Sequence, residues 1–151
     1  MIKDYLHDLT SVEGVEGVVI IRKDNTVLDS WSAPNFNTNL FEDVSLHFHQ
    51  IFELFDRDDL EYQENVVSYE KGQVYARNLP QFLLLIFARF KVDISALRLI
   101  VNVGLAELFD SKKMQKMLKK IPIGNHSVLK REFLDDVEQG YLAKISELKK
   151  F

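Results

Sequence analysis

Four histidines, a run of carboxylates and a lysine-rich stretch are the residues of this 151-residue chain whose types could carry chemistry. Imidazole is the commonest metal ligand and catalytic base, so spacing is the test. His47 and His49 stand two apart in a stretch of helical pattern and point about 200° from each other, which forbids a shared metal. Asp43 with His47, and His49 with Glu53, have the four-residue spacing of surface pairs on a helix, while His7 and His126 stand alone. Asp56, Asp58, Asp59 and Glu61 crowd one loop, but a calcium loop needs alternating ligands over about twelve residues, a central glycine and a closing Glu. That pattern is missing, and the cluster reads as a solvated loop. Zero cysteines exclude a thiolate metal site and a disulfide framework. No Walker-type phosphate loop, dinucleotide glycine pattern or nucleophile elbow occurs. The polar inventory reads as structural, and neither a cofactor nor a metal is expected.

Charge divides the chain. Residues 1 to 109 carry 9 Lys/Arg against 17 Asp/Glu, whereas residues 110 to 151 carry 10 against 6. An acidic main domain argues against nucleic acid, because phosphate binding needs a basic surface. Lys112, Lys113, Lys116, Lys119 and Lys120 alternate with Met114, Met117 and Leu118. Such a basic helix suits an anionic membrane, an acidic partner surface, the acidic domain of the same assembly or plain solvation. The longest apolar run, Phe82 to Ala88, is far short of the roughly 20 residues that span a bilayer. MIKDYLHDL lacks an apolar signal core, so a cytoplasmic location is expected and a membrane role is not.

The elements that position these residues follow from periodicity. Met1 to Val12 reads as a short amphipathic helix, with Ile2, Leu6 and Leu9 on one side. Val18 to Ile21 are apolar at every position, the mark of a central strand covered on both faces. Lys23-Asp24-Asn25 turns the chain, since Asp and Asn tolerate left-handed backbone. Ser30 to Asn39 reads as a polar connection anchored by Trp31, and Asn39 as the cap of a helix over 39 to 58, with Glu42 completing a capping-box variant. Leu40, Val44, Phe48, Ile51, Phe52 and Phe55 follow its helical period; Phe41 and Leu54 widen the apolar arc to about 160°, with Leu46 outside it. One sheet face needs less than that, so this helix should bury a second surface against another chain, the alternative being a helix deep in a monomer core.

Asn65 to Tyr69 and Gln73 to Leu79 form a second hairpin in which Gly72 is expected to supply a positive φ. Phe82 to Phe90 is the second central strand. Asp93 or Ser95 caps a helix to about Phe109 with Leu97, Val101, Leu105 and Leu108 inward; Leu99, Ile100 and Val103 make a second apolar side that something must cover. Downstream, Pro122-Ile123-Gly124-Asn125 breaks a helical period, and residues 127 to 149 carry a last stripe of Leu129, Phe133, Leu134, Val137, Tyr141, Ile145 and Leu148. That helical tail covers its own domain or a partner. The reading is an α+β (α/β) fold: a five-stranded antiparallel sheet between helices, order α-β-β-α-β-β-β-α, over residues 1 to 109, then a helical C-terminal extension over 110 to 151.

The segments LTSVEGVEGVVIIRKDNTVL, ENVVSYEKGQVYARNLPQFLLLIFARF and DISALRLIVNVGLAEL resemble the Roadblock family, named for a dynein light chain and including bacterial gliding-motility regulators of a small Ras-like GTPase. Gly14-Val15 and Gly17-Val18 fit the family's helix-to-strand junction, and Asp24-Asn25 replaces its usual Asp-Gly turn. The likeness spans roughly residues 3 to 109. It implies a homodimer in which the long second helices pack together and the third strands pair edge to edge. Mapped here, that puts Phe41, Phe48, Phe52 and Phe55 near the helix pair and Val66, Val67 and Tyr69 on the joining strand, with Ser45, His49 and Arg57 as partner-binding residues. It further implies a binding module, not an enzyme of its own, that biases the switch segments of a small Ras-like GTPase by population shift, with Arg57 the only arginine on the helix that could serve as an arginine finger. A scaffold subunit without effect on the GTPase is the other class of reading, and a small-molecule sensor a third.

Overall fold

The structure, a computed structural model, describes residues 1–55 and 64–122. The acidic loop Asp56 to Glu61, Arg57 and the expected last helix over 127 to 149 lie outside these residues. Elements run α1 (Ile2–Tyr5), α2 (His7–Thr10), β1 (Val15–Arg22), β2 (Val27–Ser32), α3 (Asn39–Phe55), β3 (Glu64–Tyr69), β4 (Gly72–Asn78), β5 (Phe82–Ala88), α4 (Ile94–Asp110) and α5 (Lys112–Lys119). The five strands form one sheet in the order β2-β1-β5-β4-β3, every pair antiparallel.

Continuous apolar strands sit at the centre because both sheet faces are covered. Val18 and Ile20 of β1 and Phe82, Leu84 and Ile86 of β5 point into a core closed by α1, α2, α4 and α5. Their neighbours Val19, Ile21, Leu83, Leu85 and Phe87 point into a second core under α3. Each of these ten side chains is fully buried, and burial of that kind contributes about 1.5–3 kcal/mol per side chain.

Several expectations are corrected. The first helix is two short ones: Leu6 leaves helical geometry at φ −121°, ψ 20°. The break falls where the chain crosses α4 at Gly104, whose missing Cβ would stand 2.5 Å from both Leu6 Cδ2 and the Tyr5 carbonyl. β2 runs on to Ser32, so the polar connection is shorter than the sequence implies. Asn39 is already helical, and the side-chain acceptor for its N–H is Asn37 Oδ1 at 3.1 Å. β5 stops at Ala88. Among the described residues positive φ falls at Gly14, Asn25 and Asn35 and not at Gly72. Glycine is required at position 72 by close approach instead: a Cβ there would lie 2.4 Å from the Ala88 carbonyl oxygen of the neighbouring strand. Asp93 rather than Ser95 caps α4, its carboxylate accepting from the Ser95 N–H at 2.9 Å.

α5 turns back onto the same core as α4. Met114, Leu118 and Ile121 are buried in it, and Ser111, which ends one helix and caps the next, also meets the Tyr5 hydroxyl at 2.8 Å. Leu99 and Val103 on the outer side of α4 stay 65% and 54% exposed.

Candidate interaction surface

α3 turns one narrow stripe to the sheet. Phe41, Ser45, Phe48 and Phe52 recur at four, three and four residues, lie within about 60° of one another on the helix, and are all buried. The Phe48 and Phe52 rings stack at 6.2 Å, and Phe41 packs on Phe87 of β5 at 5.5 Å. Three of the phenylalanines placed at the dimer helix pair therefore face their own sheet, because a phenyl ring is long enough to reach the strands from the middle of the helix. Phe55 ends α3, and its side chain lies outside the described residues.

Ser45, taken from the sequence as partner-binding, is fully buried. Its hydroxyl lies 2.5 Å from Asn25 Oδ1 and 2.9 Å from the Glu42 carbonyl, so it ties α3 to the β1–β2 turn and has no surface to offer. His49 is half-buried and Glu53 buried, so this pair sits inward and not on the surface as its spacing implied. His47 and Asp43 are exposed.

Beside the buried stripe, one flank of α3 comes near Tyr69 of β3 at Leu40. Leu40, Val44 and Ile51 lie there, about 90° round the helix from the buried stripe. They are half-buried at the margin of the α3 core together with Phe36 and Tyr69. Leu40 and Tyr69 also line one cleft of about 500 Å³ at the end of the sheet. In that cleft Arg89 pairs with Glu16 at 2.8 Å and Lys91 with Glu13 at 3.0 Å, so these acids and bases answer one another across its rim. Desolvation, then Glu16, pushes the Tyr69 phenol above its ordinary pKa, which keeps it neutral.

Among the described residues β3 is the outer strand on this side, with no strand beyond it. Val67 faces the α3 side opposite Val74, and Val66 the α4 side opposite Tyr75; each is 38% exposed. The strand is held from inside by Glu64. Its carboxylate accepts from the Tyr75 hydroxyl at 2.6 Å and from Arg98 of α4 at 3.0 Å, with Arg77 at 3.4 Å. Burial pushes this carboxyl up, but Tyr75, Arg98 and Arg77 outweigh it and hold Glu64 below the usual carboxylate range. Arg77 reaches on to Asn102 Oδ1 at 2.5 Å. The result is a β3 edge that is braced beneath and straight in register and that exposes Val66 and Val67 beside Ser68.

Among the described residues no group of three or more His, Cys, Asp or Glu could hold a metal ion, and no helix is long and apolar enough to cross a membrane. What the geometry offers is a surface: the β3 edge with Val66 and Val67, continued by Tyr69 and the Leu40, Val44 and Ile51 flank. Periodicity had placed these three α3 residues in the stripe beside the phenylalanines; only the sheet's position shows which side is inward.

This arrangement is the Roadblock/LC7 fold. The chain superposes on a Roadblock/LC7 domain from Streptomyces avermitilis with a TM-score of 0.56 at 10% identity, covering 69% of this chain and 90% of that one. MglB from Myxococcus xanthus matches with a TM-score of 0.55 at 15% identity over 74% of this chain and 84% of that one. The gliding protein MglB from Thermus thermophilus gives 0.53 at 14% identity over 78% of this chain and 88% of that one. No protein-family model and no curated protein sequence matches the chain.

Proposed function

We propose that this chain is a cytoplasmic, homodimeric protein-binding module that regulates a small Ras-like GTPase by changing its hydrolysis or nucleotide exchange. The observation that carries the reading is the open β3 edge with exposed Val66 and Val67 beside a half-buried apolar flank of α3, set in a Roadblock/LC7 fold. An outer strand of this kind is a template for pairing with another strand, and a second copy supplies an identical edge for an isologous interface. Leu40, Val44 and Ile51 then meet their counterparts, while Phe41, Phe48 and Phe52 support them from within. A dimer of this type regulates by binding one nucleotide state of its partner more tightly than the other. It needs no catalytic group of its own.

The test measures GTP hydrolysis and nucleotide release by a Ras-like GTPase with and without the chain. A change in either rate supports regulation, whereas binding with both rates unchanged leaves a scaffold subunit, the second reading. Arg57→Ala separates two mechanisms. A donated arginine is worth about 10³-fold or more in hydrolysis, whereas a population shift leaves stimulated hydrolysis near its original rate.

A further inference from the structure

α5 is a helix with two unlike sides. Met114 and Leu118 are buried, while Lys112, Lys113, Lys116, Lys119 and Lys120 are exposed, and residues 112 to 120 contain no carboxylate. Half-buried Met117 lies in a shallow depression lined by Lys112, Lys113, Lys116 and Lys120. On α4, Ala96, Leu99, Val103 and Ala106 are exposed at spacings of three, four and three, one apolar stripe along the outer side. Two adjoining helices thus offer a cationic surface followed by an apolar one.

The chain itself contains the complement. Residues 123–151 follow directly on the last described residue, Pro122. Within them, residues 132 to 138 hold Glu132, Asp135, Asp136 and Glu138 and no Lys or Arg. Phe133, Leu134, Val137, Tyr141, Ile145 and Leu148 recur at helical spacing through and beyond this block. We propose that residues 127–149 pack antiparallel on α5, with the carboxylate block against its lysines.

Three arguments support this occupant. If the chain reverses at Pro122 to Asn125, Asp135 comes opposite Lys112, and Glu132 falls within one turn of Lys116. A helix over 127–149 would be about 35 Å long and α5 about 12 Å, so the segment is long enough to cover α5 from end to end. A tethered segment also competes at an effective concentration in the millimolar range, above any free acidic partner or second copy.

The experiment uses the full chain. Heavy- and light-isotope protein are mixed, treated with a zero-length carbodiimide coupler and mapped by mass spectrometry. The expected products join Lys112, Lys113 or Lys116 to Glu132, Asp135 or Asp136 within one isotope. Absence of these links, or links only between isotopes, overturns the proposal, the latter in favour of a second copy. Amide exchange supplies the second reading. Lys112→Glu with Lys116→Glu, both at exposed positions, should speed exchange over residues 129–141 at least tenfold, and adding Asp135→Lys with Asp136→Lys should restore it. Unchanged exchange in the first variant overturns the proposal as well.

Discussion

β2 and β3 close the same sheet at opposite edges, and they are finished differently. At the β2 edge Asp29 accepts a hydrogen bond from the Ile2 N–H at 2.9 Å, which brings α1 against the strand. The β1–β2 ladder also shifts register between Ile20 and Ile21. Covering elements, a charge on the strand and an irregular ladder are the usual means of keeping an edge from pairing. Among the described residues no element covers β3 on its outer side: its six residues pair with β4 without a shift, its one charge, Glu64, is turned to Tyr75 and Arg98, and Val66 and Val67 stand out from it. The two edges mark where the described residues close the sheet and where they leave it open. They also separate two parts of α3, the phenylalanine stripe that belongs to the closed interior and the aliphatic flank beside the open edge.

The largest test of that separation is Phe48. As a core ring, Phe48→Ala should cost about 3–5 kcal/mol of folding stability, read as a fall in the urea midpoint at any protein concentration. Ile51→Ala should cost less stability and instead weaken self-association. If Phe48→Ala left the urea midpoint unchanged and only shifted the sedimentation profile, the stripe would belong to the interface and the comparison would fail.

Gly72 comes next in size. A methyl group at this position would meet the Ala88 carbonyl oxygen at 2.4 Å, and backbone in a central strand has little room to yield. Gly72→Ala should cost about 1–3 kcal/mol, seen in thermal or urea unfolding. The effect belongs to β4 against β5 and should leave the β3 surface chemistry unaltered. A neutral outcome would mean that the hairpin carrying the open edge is looser than its register implies.

The edges are compared directly by charge. Val66→Lys with Val67→Lys should weaken self-association at least tenfold, about 1.4 kcal/mol, while Val27→Lys on β2 should do nothing to it. Sedimentation across a concentration series reads both. Equal effects from the two edges, or none from either, would remove the asymmetry as a guide to partner position.

The sequence made the sheet legible because Val18 to Ile21 and Phe82 to Ala88 are apolar at every position, a pattern with few other uses in segments so short. The second hairpin was legible through its Glu70-Lys71-Gly72 turn, although the reason for the glycine was not: φ cannot reveal that a neighbouring carbonyl is 2.4 Å from a missing Cβ. The excess apolar arc of α3 was visible too. Which part of it faces inward was not, since phenylalanine and isoleucine are equally good at filling a helical stripe. Ser45 was misread for a related reason: a hydroxyl between apolar neighbours reads as surface until Asn25 is seen beside it. The single break at Leu6 depended on Gly104, about a hundred residues away in the chain.

The smallest effect concerns the brace beneath β3. Glu64 is held below its ordinary pKa by Tyr75, Arg98 and Arg77 against the opposing effect of burial. A carboxylate with a depressed folded pKa adds stability that is fully present above its unfolded value of about 4.3 and is lost as pH falls through the folded one. Its side chain is 33% exposed, so solvent screening limits the contribution to under about 1 kcal/mol. Wild type should therefore lose stability below about pH 4 more steeply than Glu64→Gln, with the gap between them widest near neutral pH. Urea unfolding at a series of pH values measures this. Parallel curves would show that Glu64 does not brace the open edge through its charge, and the contrast with the guarded β2 edge would then rest on the valines and the register alone.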